Sequence, residues 1–437
     1  MTLTARFTIA CAAFFSAGPV LAQAPAAQPF DTVLARRYFQ EAARITSADG
    51  GRLWGRSLDG PLLLAHLGTR MLLADVGDSE GQLRPLGSLF TGRLPPRENM
   101  ANTAITWAGR RWAMVMVPLP VDSVARAVLL AHELWHRVQD SLGFRAASPI
   151  NSHLATRDGR LWLRLEGRAL RRALTASGAG RRTALAHAVA FRLARRAAAP
   201  GADTLEAQLL LNEGLAEYTG IRLGAPDQAG GTALVDRRLA ALDTISRHER
   251  GFAYQLGPAY GHFLDELAPD WRATLRPGDD LAILLEKALG GRPVPAQAVT
   301  ARAGAYGYAA VRKEEDALAA RRRARLAELD RQFVSGPTLE LPLAAMNLSF
   351  DPTKVEAMGD RGTVYGSLRL SDRWGVLQCD ASGGLISADF RRAVVPAPSD
   401  TAGRRLTGPG WVLELSPEWR LAPGTRRGDF RLMPATP

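Results

Sequence analysis

The stretch DSVARAVLLAHELWHRVQDSLG, residues 122–143, decides how the rest of this chain is read. Asp122 and Ser123 offer side-chain oxygens to the unpaired N–H groups that open a helix, and Gly143 is a residue that readily ends one. Between them Val124, Val128, Leu129, Leu134, Trp135 and Val138 recur at helical spacing. The apolar run at 127–131, followed by Trp135, makes this a buried helix rather than a solvated one. Four residues apart on such a helix, His132 and His136 stand on one face and can both ligate a single zinc ion. Glu133 lies beside them without being a ligand and can serve as general base toward a water. A buried imidazole pair next to a carboxylate is costly without a charge partner, and a metal supplies one.

Working outward, residues 53–119 are short apolar runs separated by Gly, Asp and Pro, and 61–67, 71–76, 88–94, 104–108 and 112–119 are predicted strands. Residues 30–49, with Val33, Leu34, Tyr38, Ala42 and Ile45, form a helix ahead of them. Downstream the periodicity predicts helices over 158–176, 182–198, 203–223, 230–250, 252–267 and 279–289, then a charged, solvated helix over 311–333. After 337 it disappears, and 363–370, 375–379, 384–390 and 410–415 are predicted strands. The fold class is therefore α+β: a domain over 23–335 (β-rich 53–119, helical 121–334) followed by a β-rich C-terminal domain over 336–437.

Residues 1–22 form a signal peptide: Arg6, an apolar stretch too short to span a bilayer, and Val20-Leu21-Ala22 before Gln23. This predicts a periplasmic or secreted protein with no stable membrane anchor after cleavage. Loss of Cys11 leaves Cys379 alone, so no intramolecular disulfide forms. The 437 residues carry a net charge of +12, with Lys287, Lys313 and Lys354 the only lysines. Arginine is spread along the chain, and stretches such as 164–172 and 192–196 are expected to be solvated helix faces. A nucleic-acid partner is excluded on that distribution.

Two imidazoles leave a catalytic zinc site one protein ligand short. One carboxylate is Glu213, in the stretch LNEGLAEY at 211–218. The other is Glu166, which shares a helical face with Trp162, Ala169, Leu170 and Ala173 while Arg160, Arg164, Arg168, Arg171 and Arg172 take the opposite one. A carboxylate in an apolar stripe needs a metal or a cation, and for Glu166 an ion pair or a place behind the ligands ranks ahead of direct ligation. Asn151 and His153 read as loop caps beside the site.

HELWH at 132–136, Gln139, NEGLAEY at 212–218, and YQLG at 254–257 followed by Phe263 and Leu264 together resemble the gluzincin metallopeptidases, in particular the peptidase MA-like proteins and the catalytic domains of M1 aminopeptidases. The resemblance covers roughly residues 100–270. It implies a zincin-like fold, a small β-sheet followed by a helical active-site region, and zinc (Zn2+) as cofactor. It also implies Glu213 as third ligand, Glu217 as the acid that orients a ligand histidine, and Tyr254 as the donor that stabilises the oxyanion; His262, in the same segment, reads either as a substitute donor or as a surface residue. The implied activity is hydrolysis of a peptide or protein substrate by zinc-activated water, with Glu133 as general base. Residues 112–119, just ahead of the zinc helix, are read as an edge to which an extended substrate adds. The 77 positions from His136 to Glu213 exceed the family's usual spacing. No Gly-x-Met-Glu-Asn segment precedes the helix, so aminopeptidase action is not implied. The alternative is a catalytically inactive zincin-fold protein that binds an envelope partner or serves as a scaffold.

Overall fold

A computed structural model describes residues 30–435 apart from 246, 292, 352 and 353; the signal peptide read at 1–22 lies outside the described residues. The chain divides into two compact units, one ending at Leu318 and the other beginning at Ala319. The first opens on α1 (Thr32–Asp49), started by the Asp31 carboxylate, which accepts from the N–H groups of Val33 and Leu34, and closed by Gly50 at φ 57°. Six strands follow: β1 (Leu62–His66), β2 (Met71–Ala74), β3 (Arg84–Leu86), β4 (Leu89–Arg93), β5 (Thr103–Trp107) and β6 (Arg110–Val117), in the sheet order β3-β4-β2-β1-β6-β5. Only the β1–β6 pair is parallel.

The sheet is covered on both faces. Leu62, Leu64, Ala113 and Val115 face the large core shared with the helices, while Leu63, Ala65, Trp112 and Met114 join a second apolar cluster with Leu72 and Trp107. That two-sided burial is why β1 and β6 are nearly continuous apolar runs. It also corrects the reading of 112–119 as an edge: β6 is hydrogen-bonded to β1 on one side and β5 on the other, so the edge is β5. The expected runs omit β3, an exposed Arg-Pro-Leu with none of the apolar alternation that marks a strand.

The helical part comprises α2 (Ser123–Val138), α3 (Arg157–Thr175), α4 (Gly178–Ala197), α5 (Ala202–Leu209), α6 (Leu215–Gly224), α7 (Gln228–Ala241), α8 (His248–Leu267), α9 (Trp271–Thr274), α10 (Leu281–Ala288), α11 (Ala296–Ala303) and α12 (Tyr308–Asp330). A single π-turn, Leu210–Gly214, joins α5 to α6 where one continuous helix was expected. The helix expected over 230–250 stops at Ala241, and the turn after it carries Asp243 onto Arg164 and Arg168.

The expected solvated arginine faces are overturned for most of their residues, with Arg172 left exposed. Arg160 and Arg164 are buried and donate to Glu315, and Arg171 pairs with Asp236. Arg192 and Arg195 are fully buried between Glu166 and Glu206. Periodicity places a side chain on a helix face, but acidic residues on α5, α7 and α12 cover these faces. The charged segment from 311 onward is mostly exposed, yet Val311 and Glu315 are buried.

In the second unit, strands between Thr338 and Pro434 build a seven-stranded and a five-stranded sheet around Leu339, Leu341, Trp374, Leu377 and Leu413. The strand expected over 363–370 is two strands, Thr363–Tyr365 and Arg369–Asp372, in different sheets. The chain changes sheet where Ser367 adopts φ 51°. The protein is thus a mixed α+β molecule with a β-rich C-terminal region. Among the described residues, no helix is long and apolar enough to cross a membrane.

Candidate metal centre

α2 is the floor of a cleft of about 660 Å³. Ala125, Val128, Leu129, His132, Glu133 and His136 follow one another along the same helical face, and all of them line it. One wall is the β5 edge, through Asn102, Thr103 and Ala104; the other is formed by Asn212, Glu213 and Glu217, by Arg238 of α7, and by Arg250 and Tyr254 of α8. Two close helix contacts set this geometry. A Cβ on Gly220 of α6 would stand 2.7 Å from the Val128 carbonyl of α2, and one on Gly257 of α8 would stand 2.3 Å from the Gly214 Cα. Only glycine allows such approaches, and they bring Glu217 onto His132 and Tyr254 onto Glu213. Gly257→Ala should therefore force α8 off the π-turn and destabilise the fold by about 1–3 kcal/mol. A thermal melt within error of wild type would refute this contact as a constraint.

The two Nε2 atoms of His132 and His136 lie 3.1 Å apart, and Oε2 of Glu213 lies 3.6 Å and 3.5 Å from them. A tetrahedral zinc with bonds of about 2.0–2.1 Å separates its ligand atoms by about 3.3 Å. The hydrogen bonding behind the donors points the same way. The Glu213 carboxylate accepts from the Asn212 amide NH2, the Asn212 carbonyl oxygen accepts from the Gln139 amide, and the Gln139 oxygen faces Nδ1 of His136. A carboxylate can only accept, so the direction of every bond in this relay follows from Glu213, and the His136 proton belongs on Nδ1. On His132, Nδ1 lies 2.9 Å from Oε2 of Glu217, which likewise holds the proton there. Both Nε2 lone pairs then face one another and Glu213. Three electron-rich atoms at this spacing repel unless a cation lies between them.

The electrostatics agree. Burial opposes a charge on His132, but the carboxylates of Glu213 and Glu217 push its pKa up to about 10 in the metal-free cluster. Glu213 is held well below the usual carboxylate range against its burial, by both histidines and by the Tyr254 hydroxyl, which donates to Oε2 at 2.5 Å. The cluster takes up positive charge, and a proton is what it accepts in the absence of a metal. Glu133 differs from its neighbours. Burial pushes its carboxyl up, and its Oε2 has no hydrogen-bond partner among the described residues. In spacing, protonation and charge the donors His132, His136 and Glu213 fit a tetrahedral divalent cation.

Tyr254 also stacks on the His132 ring, with centroids 5.7 Å apart and planes 1° from parallel. Burial and the Glu213 charge raise its pKa, keeping the phenol protonated and able to donate. The rival carboxylate is elsewhere. Glu166 accepts from Arg192 at 3.0 Å, Arg195 at 2.5 Å and the Tyr260 hydroxyl at 2.6 Å, an ion-pair network apart from the cleft. His153 joins that network through Glu206, and Asn151 is buried with its N–H on the Glu249 carbonyl. His262 lines a separate cavity with Tyr218, Asp265 and Glu266. Arg238, Arg250 and Ser148 line the cleft along α2 but were not singled out from the sequence. For Arg250 a signal existed, since it precedes Tyr254 by one helical turn. No family model, curated protein or solved structure matches the chain.

Proposed function

We propose that this chain is an exported zinc-dependent metallopeptidase of gluzincin type, with a zincin-like first domain. The observation that carries the reading is Glu133, a buried carboxylate with an unpartnered oxygen beside a three-donor cluster that opens on a cleft. A structural metal site has no use for such a group. His132, His136 and Glu213 would hold the zinc, which when bound lowers the pKa of water and polarises a carbonyl. Glu133 takes the proton of the attacking water and returns it to the leaving amine. Glu217 and Gln139 hold the two imidazoles in the ligating tautomer. The Tyr254 hydroxyl donates to the oxygen on which negative charge grows. An extended peptide or protein substrate adds along β5, whose outer N–H and C=O groups have no strand partner among the described residues.

Export to the periplasm or beyond follows from the residues read as a signal peptide. Metal analysis of the purified protein tests the ligand set. Wild type should hold one zinc per chain, Glu213→Ala should fall well below stoichiometry, and a Glu213→Ala protein that keeps its zinc would overturn the assignment. A zinc-replete wild type that cuts no peptide in a broad library would leave the inactive, partner-binding reading in place instead.

A further inference from the structure

Among the described residues that line the cleft, Arg250 is the arginine its carboxylates hold least closely. Arg111 pairs with Asp140 at 3.1 Å, and Arg238 meets Oε1 of Glu217 at 2.5 Å. Arg250, in the first turn of α8, donates to the Ser148 hydroxyl at 3.3 Å and forms a long ion pair with Oε1 of Glu213 at 3.8 Å. Its side chain is 56% exposed and lines the cleft four residues before Tyr254, on the same helical face. The carboxylates nearby have other work: Glu213 belongs to the metal donors, Glu217 to His132 and Arg238, and Glu133 is buried among them. An incoming anion therefore meets an exposed guanidinium held by one hydrogen bond and one long ion pair, next to the site of cleavage.

We propose that Arg250 is a specificity residue and that the substrates are peptides carrying a carboxylate adjacent to the scissile bond. A planar guanidinium presents paired N–H donors at the spacing of two carboxylate oxygens, which a neutral amide cannot match. The same chemistry comes from two sources, an Asp or Glu side chain or a free C-terminus. The inference rests on the peptidase reading and extends it to a substrate class.

The experiment uses quenched fluorescent peptides that are identical except for Glu or Gln at each position in turn, each made with a free or amidated C-terminus. Cleavage by wild type is measured beside binding to the inactive Glu133→Gln protein by calorimetry. The acid member of the sensitive pair should bind and be cut about tenfold to a hundredfold better than its amide partner. Arg250→Gln should remove that ratio, Arg250→Lys should retain part of it, and salt should weaken it in wild type. Sensitivity at a side-chain position identifies an acidic residue as the source; sensitivity only to amidation identifies the C-terminus. If Arg250 merely neutralises Glu213, Arg250→Gln lowers acid and amide peptides alike and the ratio survives, which overturns the proposal. Cleavage with no acid preference in wild type overturns it too while sparing the peptidase reading. Failure to bind or cut any peptide overturns both.

Discussion

Glu133→Gln is expected to lower kcat/KM for peptide hydrolysis by about a hundredfold to ten-thousandfold while leaving zinc at one per chain. The substitution keeps the shape of the side chain and removes only its capacity to take and return a proton. The donors His132, His136 and Glu213 are untouched, as are the Glu217 and Gln139 contacts that hold the imidazoles in register. Stability should change little. Oε2 of Glu133 accepts no hydrogen bond, so no partner is left unpaired, and burial already disfavours the charged carboxylate. Metal content, a thermal melt and a progress curve on one preparation separate the outcomes. Full turnover with zinc bound removes Glu133 from the chemistry. Loss of zinc together with turnover means instead that the residue supports the ligands.

Helix α2 was legible because every signal for it is local. Asp122 caps it as its position suggests, Gly143 adopts φ 91° just beyond it, and Val128, Leu134, Trp135 and Val138 between them are buried, with Val124 and Leu129 partly so. Spacing also places His132 and His136 on one face, and Glu213 with Glu217 on another. What it could not show is which surfaces meet. The choice of β5 over β6 as the edge depends on the parallel pairing of β1 with β6, which joins residues far apart in the chain. The burial of both faces of β6 was visible in Trp112, Ala113, Met114 and Val115, but an edge strand beside a helix could show the same run. Arg250 follows the polar segment Arg247 to Glu249, which reads as solvated surface; its spacing from Tyr254 was a signal, but the packing of α8 on the π-turn is what turns it into the cleft. That π-turn is equally invisible, since the wider backbone loop at Leu210–Gly214 leaves no mark on apolar periodicity.

Glu166 shows how far a single residue can be reasoned from sequence, and it yields the second large effect. A carboxylate in an apolar stripe demands a cation, and the fold supplies two: Arg192 and Arg195, both fully buried, with Tyr260 completing the shell. Arg195 reaches on to Glu206, which also accepts from Arg196 and lies 2.7 Å from His153. Glu166→Gln is expected to destabilise the first domain by about 3–5 kcal/mol, because it leaves buried guanidinium charge uncompensated. Against a typical total stability of about 5–15 kcal/mol, that is a large fraction. A shift in the urea midpoint of unfolding measures it, with Arg195→Met as a companion that strips the opposite charge and should also destabilise. Where Glu166→Gln folds, it should still bind zinc, whereas Glu213→Ala should lose zinc and keep most of its metal-free stability. A Glu166→Gln protein as stable as wild type would mean that water or a neighbouring acid already screens Arg192 and Arg195. A stable protein that has lost its zinc would return Glu166 to the metal. On spacing from His136 alone Glu166, 30 positions on, stands nearer the family's pattern than Glu213, 77 positions on; the difference in the fold is that Glu166 is packed against arginines and Glu213 against imidazoles.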